Sequence, residues 1–184
     1  MASPDALIFG SSYQTTNTSE SFDEDFHFSY GFTDMTNQFV QAGNSEHDQG
    51  DTDATNRNMN DNVMARQSVG GTGLNGSLSV EASQPATGFR LTYNDSFSGD
   101  FHFHVFAVKG YSAFAGDYDS KSSSGLITSE ETACGHTPLG VFAMSSDRES
   151  YGASNDVHFS YGVTDVTTDL GMTCGVDNAK SSAD

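Results

Sequence analysis

The chain has 184 residues, a formal net charge of −18 at pH 7 and only two cysteines. A surface this negative repels nucleic-acid phosphates and anionic lipid heads, so the charge argues against binding to either. Hydrophobic residues make up 35% of the chain, and 19 glycines lie among many Ser, Thr, Asn and Asp residues, a balance typical of short strands joined by polar loops.

Short apolar or alternating runs predict a series of strands, and no window shows a helical period with caps. In chain order they are PDALIFG (4–10), DFHFSYGF (25–32), QFVQA (38–42), NVMARQ (62–67), SLSVEA (77–82), GFRLTY (88–93), DFHFHVFAV (100–108), SAFAGDY (112–118), PLGVFAM (138–144), DVHFSYGV (156–163) and LGMTC (170–174). This order predicts an all-β protein, an antiparallel β-sandwich of jelly-roll-like type.

One phrase occurs twice, at opposite ends of the chain. DFHFSYGFTD (25–34) and DVHFSYGVTD (156–165) share eight of ten residues at an offset of 131, and Ser11–Ser12 align with Ser145–Ser146 at an offset of 134. The three-residue difference falls in the intervening loop, where insertions are tolerated. We therefore predict a complete module at 1–116 and a partial second repeat at 117–184, which has no counterpart of SLSVEA, GFRLTY or DFHFHVFAV.

A partial sandwich must cover its apolar face and its strand edges. It can pack on the first module within one chain, complete a neighbouring subunit by strand exchange, or belong to a longer chain. The sequence leaves these three arrangements open.

The order of phrases resembles a repeated β-module in structural proteins of tailed viruses, both bacteriophages and haloarchaeal viruses. The matching positions, in order, are Pro4–Asp5, Ser29–Gly31, Glu81–Ser83, Gly88–Phe89, Leu91 and Val105–Gly110. The resemblance implies a virion component on the particle exterior, assembled in the host cytoplasm with copies of itself and other virion proteins. It supplies no catalytic residues, and the acid excess resembles the haloarchaeal branch.

The segment DTDATNRNMNDN (51–62) is rich in the oxygen ligands that calcium takes, with Asp51, Asp53 and Asp61 as candidate carboxylates. The spacing is not that of an EF-hand, because a central Gly and a closing Glu are missing, so a solvated loop is the simpler interpretation. No other cofactor is expected.

Histidines recur on the predicted strands, and His27 could join His102 and His104 if all three lay on one sheet face. Cys134 and Cys174 are either free thiols or a single disulfide. No nucleophile elbow or zinc-protease motif occurs, so we expect a protein that is not an enzyme. The alternative from another class is a secreted, lectin-like carbohydrate-binding module or an extracellular filament subunit.

Overall fold

The computed structural model describes residues 2–12, 26–45, 54–67, 73–97, 102–117, 135, 137–146, 152–154, 157–165 and 167–176. These residues form β-strands and irregular segments, with no helix among them. The strands are β1 (Ala6–Ser12), β2 (Phe26–Thr33), β3 (Gln38–Ser45), β4 (Ala54–Asn60), β5 (Met64–Gln67), β6 (Leu74–Val80), β7 (Leu91–Asp95), β8 (His104–Val108), β9 (Val141–Ser146), β10 (Gly152–Ser154), β11 (Val157–Thr164) and β12 (Asp169–Val176).

The strands form three antiparallel sheets. The central sheet has the order β10-β4-β3-β2-β1-β8, the cover sheet is β5-β6-β7, and the repeat sheet is β12-β11-β9. The strands are antiparallel throughout, so they suit the hairpin and meander connections that polar turn residues provide.

The main core lies between the central sheet and the cover sheet. Leu7 and Phe9 alternate along β1 and are fully buried, and they pack against Met64 and Leu78 of the cover sheet. A second cluster joins Val40 and Ala42 of β3 to Ala65 at the start of β5. Alternation along β1 and β3 therefore turns one face of the central sheet toward the cover sheet.

The opposite face of the central sheet packs on the repeat sheet through aromatic rings. Phe28 of β2 lies 4.5 Å from Phe159 of β11, measured between ring centroids, and both side chains are buried. The chain is thus an all-β, sandwich-like fold in which the central sheet has a sheet on either side.

The strand predictions hold for most elements, with ends displaced by a few residues, but three segments differ. Residues 54–60 form β4, in place of the loop that the composition of 51–62 predicts. No predicted strand corresponds to β10. Residues 112–117 are irregular instead of forming the predicted strand, and the N–H of Ala115 donates to Asp34 Oδ2 and not to a neighbouring strand.

Within the part of the chain that the structure describes, no helix has the length and hydrophobicity needed to cross a bilayer.

Candidate functional site

The duplicated phrase forms the middle strand of the same three-stranded meander in both copies. Leu7 pairs with Thr33 in the first copy, and their counterparts Val141 and Thr164 pair in the second. Every one of the eight pairs between β2 and β3 recurs between β11 and β12 at the offset of 131, from Phe26–Ser45 matching Val157–Val176 onward. The repeat is therefore a repeat of register as well as of sequence.

The turn after the duplicated strand also recurs. Asp34 Oδ1 accepts hydrogen bonds from the N–H groups of Thr36 and Asn37 at 2.9 and 2.6 Å. Asp165 Oδ1 accepts from Thr167 and Thr168 at 3.0 and 2.7 Å. Each carboxylate thus replaces missing backbone partners at the turn, the common role of Asp at such positions.

The two turn carboxyls both have a lowered pKa. Partial burial acts to raise the pKa of Asp34, but hydrogen bonds from Asn37, Ala115 and Thr36 outweigh it and hold the pKa below 3.8. Backbone hydrogen bonds from Thr168 and Thr167 lower the pKa of Asp165. Hydrogen bonds that favour the charged form explain both shifts.

Two aromatic residues of β2 pack against their own counterparts in β11. Phe28 meets Phe159 and Tyr30 meets Tyr161, the latter with ring centroids 4.9 Å apart. Contact between equivalent residues is what a two-fold axis produces. The two contacts follow one another in the same order along β2 and along β11. The approximate two-fold axis that relates the copies therefore runs parallel to these strands.

We call the side of the repeat sheet toward the central sheet its inner face, and the other side its outer face. The outer face is smaller and more polar than its counterpart in the first copy. Ala143 replaces the buried Phe9, and Gly171 replaces the buried Val40. Both replacements are exposed, as is Thr173 in place of Ala42. Side chains have been trimmed where the second copy has no cover sheet among the described residues.

The inner face remains apolar even where it is exposed. Leu170 and Met172 of β12 are 66% and 60% exposed. They share the inner face with Tyr161, because Met172 pairs directly with Tyr161 and Leu170 with Val163. Met172 takes the place of the polar Gln41 of the first copy. We call Val163, Leu170 and Met172 the exposed apolar strip.

The strand predictions alone do not identify the strip, although the sequence contains a signal for it. Comparing the two copies position by position shows that Phe28 and Tyr30 recur as Phe159 and Tyr161, whereas Phe9 and Val40 recur as Ala143 and Gly171. That contrast distinguishes the inner face from the outer face once the structure shows which face of the first copy each residue occupies.

Of the three predicted calcium ligands, the structure describes Asp61 alone. Asp51 and Asp53 lie outside the described residues, while Asp61 is an exposed turn residue at φ 61° whose N–H donates to Gln38 O. Between them, residues 54–60 form β4, where successive side chains point to opposite faces. Residues 54–60 are therefore a strand and not part of the predicted loop, and the calcium site itself stays a prediction.

The histidines are also separated. His104 pairs with Gly10, which pairs with Tyr30, so His104 lies on the central-sheet face of Tyr30. His27 is three residues from Tyr30 and lies on the opposite face, where it is buried. The proposed cluster of three imidazoles does not form.

Among the described residues, no group of three His, Cys, Asp or Glu side chains could hold a metal ion. Cys134 lies outside these residues, and Cys174 lies in β12, so the disulfide prediction stays a prediction.

No family model, curated protein or solved structure matches the chain. The site must therefore be interpreted from its own chemistry, and its leading feature is the exposed apolar strip beside the edge of β12, which pairs only with β11 among the described residues.

Proposed function

We propose that the protein is a non-enzymatic structural component on the exterior of a virus particle. Copies of the chain assemble there with one another and with other virion proteins, through sheet edges and sheet faces. The resemblance of its sequence to a tailed-virus β-module is the reason for proposing a virus particle. The geometry of the second copy supports the assembly role.

The distribution of exposed large hydrophobic side chains carries the proposal. Among the described residues, five of the eight exposed large hydrophobic side chains lie in the second repeat, 117–184. These five are Leu139, Val141, Val163, Leu170 and Met172. Apolar surface concentrated in one region of an otherwise polar chain indicates contact with another protein.

The charge supports an exterior position. A net charge of −18 opposes contact with packaged nucleic acid and keeps a hydrated surface toward the medium. High salt screens the repulsion between neighbouring copies, which suits a particle from a saline environment.

Purified particles test the proposal. We expect the protein to sediment with intact particles on a density gradient, and antibodies against it to label their outer surface in electron micrographs. Recovery only as a secreted protein without particles would contradict the proposal, and calcium-dependent glycan binding by that secreted form would favour the lectin-like alternative.

A further inference from the structure

We propose that two copies of the chain pair through β12, antiparallel, about a two-fold axis at Met172. The inference rests on the proposed assembly role and names the partner, a second copy of this chain. The three-stranded repeat sheets of the two copies join into one continuous sheet.

The edge of β12 lacks the features by which proteins protect strand edges. Such edges are usually short, bulged or charged. Among the described edges, β10 has three residues, β8 has five, and both pairings of the cover sheet contain a register shift. β12 has eight residues, pairs with β11 without a shift, and carries no charged residue after Asp169.

The other edge of the repeat sheet, β9, is less accessible. Gln41 of β3 donates to the carbonyl oxygen of Ser145 in β9 at 3.0 Å, so this side of the repeat sheet closes onto the central sheet. Beyond β9, the chain leads to β10, which pairs with β4 at the edge of the central sheet. A strand added to β9 would lie over β4 and β10, whereas β12 lies on the side of β1 and β8, beyond which the central sheet has no further strand among the described residues.

The side chains of β12 are suited to water on one face only. Gly171 and Thr173 on the outer face are small or polar, while Leu170 and Met172 on the inner face are exposed and apolar. Met172 is the counterpart of the polar Gln41. In a strand that stayed in water, an apolar side chain at this position would add no stability. A second strand beside β12 explains this asymmetry, because it brings apolar side chains onto the same face.

Face matching, the length of the overlap and the exposed Met172 side chain select the register. A two-fold axis normal to the sheet keeps both inner faces on the same side, so opposed residues must have the same orientation. Pairing about Met172 overlaps residues 169–175 and sets Asp169 opposite Gly175 of the partner subunit. Pairing about Thr173 would instead set the two Thr173 side chains opposite each other, and pairing about Gly171 would overlap only residues 169–173 of β12.

Cross-linking at position 172 tests the pairing directly. In a full-length chain carrying Cys134→Ser and Cys174→Ser, we expect Met172→Cys to form a disulfide-linked dimer on mild oxidation, because the two side chains face each other. Ala143→Cys on β9 is the matched control, and we expect it to remain monomeric on a non-reducing gel. Cross-linking through position 143 and not through 172 would overturn the proposal.

Sedimentation of the unmodified chain gives an independent readout. We expect a dimer that strengthens with salt, since the Debye length shrinks to about 3 Å at 1 M and screens the charge of each copy. Met172→Lys should abolish the dimer, whereas Tyr93→Lys on β7 of the cover sheet, a residue that is also strongly exposed (66%), should leave it intact. Circular dichroism should show both variants folded.

Two outcomes would contradict the β12 pairing without deciding the proposed function. Oligomers that survive Met172→Lys would mean that assembly uses another surface, with the virion role intact. A chain that is monomeric at every salt concentration would also reject the pairing, and the virion role would then depend on the particle experiment alone.

Discussion

Gly31 and Gly162 occupy equivalent positions in the two copies but lie in different surroundings. A Cβ atom on Gly31 would come within 2.0 Å of the Val63 carbonyl oxygen, at the crossing to the cover sheet. A Cβ atom on Gly162 would meet nothing closer than 3.8 Å. Gly31 is thus needed for close packing of two backbones, while Gly162 is retained without that constraint.

This difference predicts opposite effects of alanine. Gly31→Ala should lower the free energy of unfolding by about 3 kcal/mol, because the overpacked backbone must move. Gly162→Ala should change it by less than about 1 kcal/mol, in the stabilising direction, because alanine restricts the unfolded chain. Urea unfolding of both variants measures this, and equal losses would contradict the difference in packing.

The turn carboxylates form a second equivalent pair. Asp34 receives bonds from Asn37 Nδ2 and from the N–H of Ala115 in addition to those in its own turn. Asp165 receives turn bonds from Thr167 and Thr168. Asp34 therefore links its turn to a segment about eighty residues away along the chain, which makes it the more important carboxylate for stability.

We predict a pH dependence that Asp34→Asn reduces. The folded pKa of Asp34 lies below its ordinary 3.8, so its stabilisation is present above the unfolded pKa and is lost as pH falls through the folded pKa. Because the group is largely solvated, we expect only about 1–2 kcal/mol. Urea midpoints measured from pH 6 to pH 3 should fall less steeply for Asp34→Asn than for the unmodified chain, and parallel curves would contradict this.

Strands whose polar and apolar residues alternate clearly could be predicted from the sequence. Strands that form because a neighbouring strand offers hydrogen-bond partners could not. DFHFSYGF alternates strictly and becomes β2 within about a residue of the predicted ends. β4 is almost wholly polar, and it becomes a strand because β3 offers an unpaired edge and Met59 packs against Val40 and its neighbours. Tertiary pairing thus outweighs local pattern at β4, and Gly152–Ser154 of β10 carries no local signal at all.

The candidate site was predictable only in part. The repeat indicated that a second apolar face needed cover, but alternation does not say which alternate set of residues lies inward. The answer depends on which residues a sheet elsewhere in the chain covers, as the burial of Phe9 and the exposure of Ala143 show.

Equivalent strands should therefore respond differently to the same truncation. Leu7 of β1 is fully buried under the cover sheet, whereas its counterpart Val141 of β9 is 44% exposed. Leu7→Ala should cost about 3 kcal/mol through lost burial and a residual cavity, and Val141→Ala less than about 1 kcal/mol. Chemical unfolding gives both values, and similar costs would show that β9 is covered as β1 is.

In the whole molecule, one three-stranded meander occurs twice and serves two purposes. Its first copy builds the central sheet, with apolar contacts on both faces. Its second copy uses only the inner face against the first, through Phe159 and Tyr161, and leaves the exposed apolar strip and the edge of β12 for other contacts. Duplication thus provides both an internal third layer and an external surface.

The packing of Phe28 and Tyr30 on their own counterparts underlies this arrangement, and a double-mutant cycle between Phe28 and Phe159 tests it most directly. Phe28→Leu and Phe159→Leu should show a coupling free energy of about 1 kcal/mol, because the rings are in contact. Phe89→Leu, whose ring packs with Phe9 on the far side of the central sheet, should combine additively with Phe159→Leu. Strict additivity between Phe28→Leu and Phe159→Leu would contradict the packing of the second copy on the first.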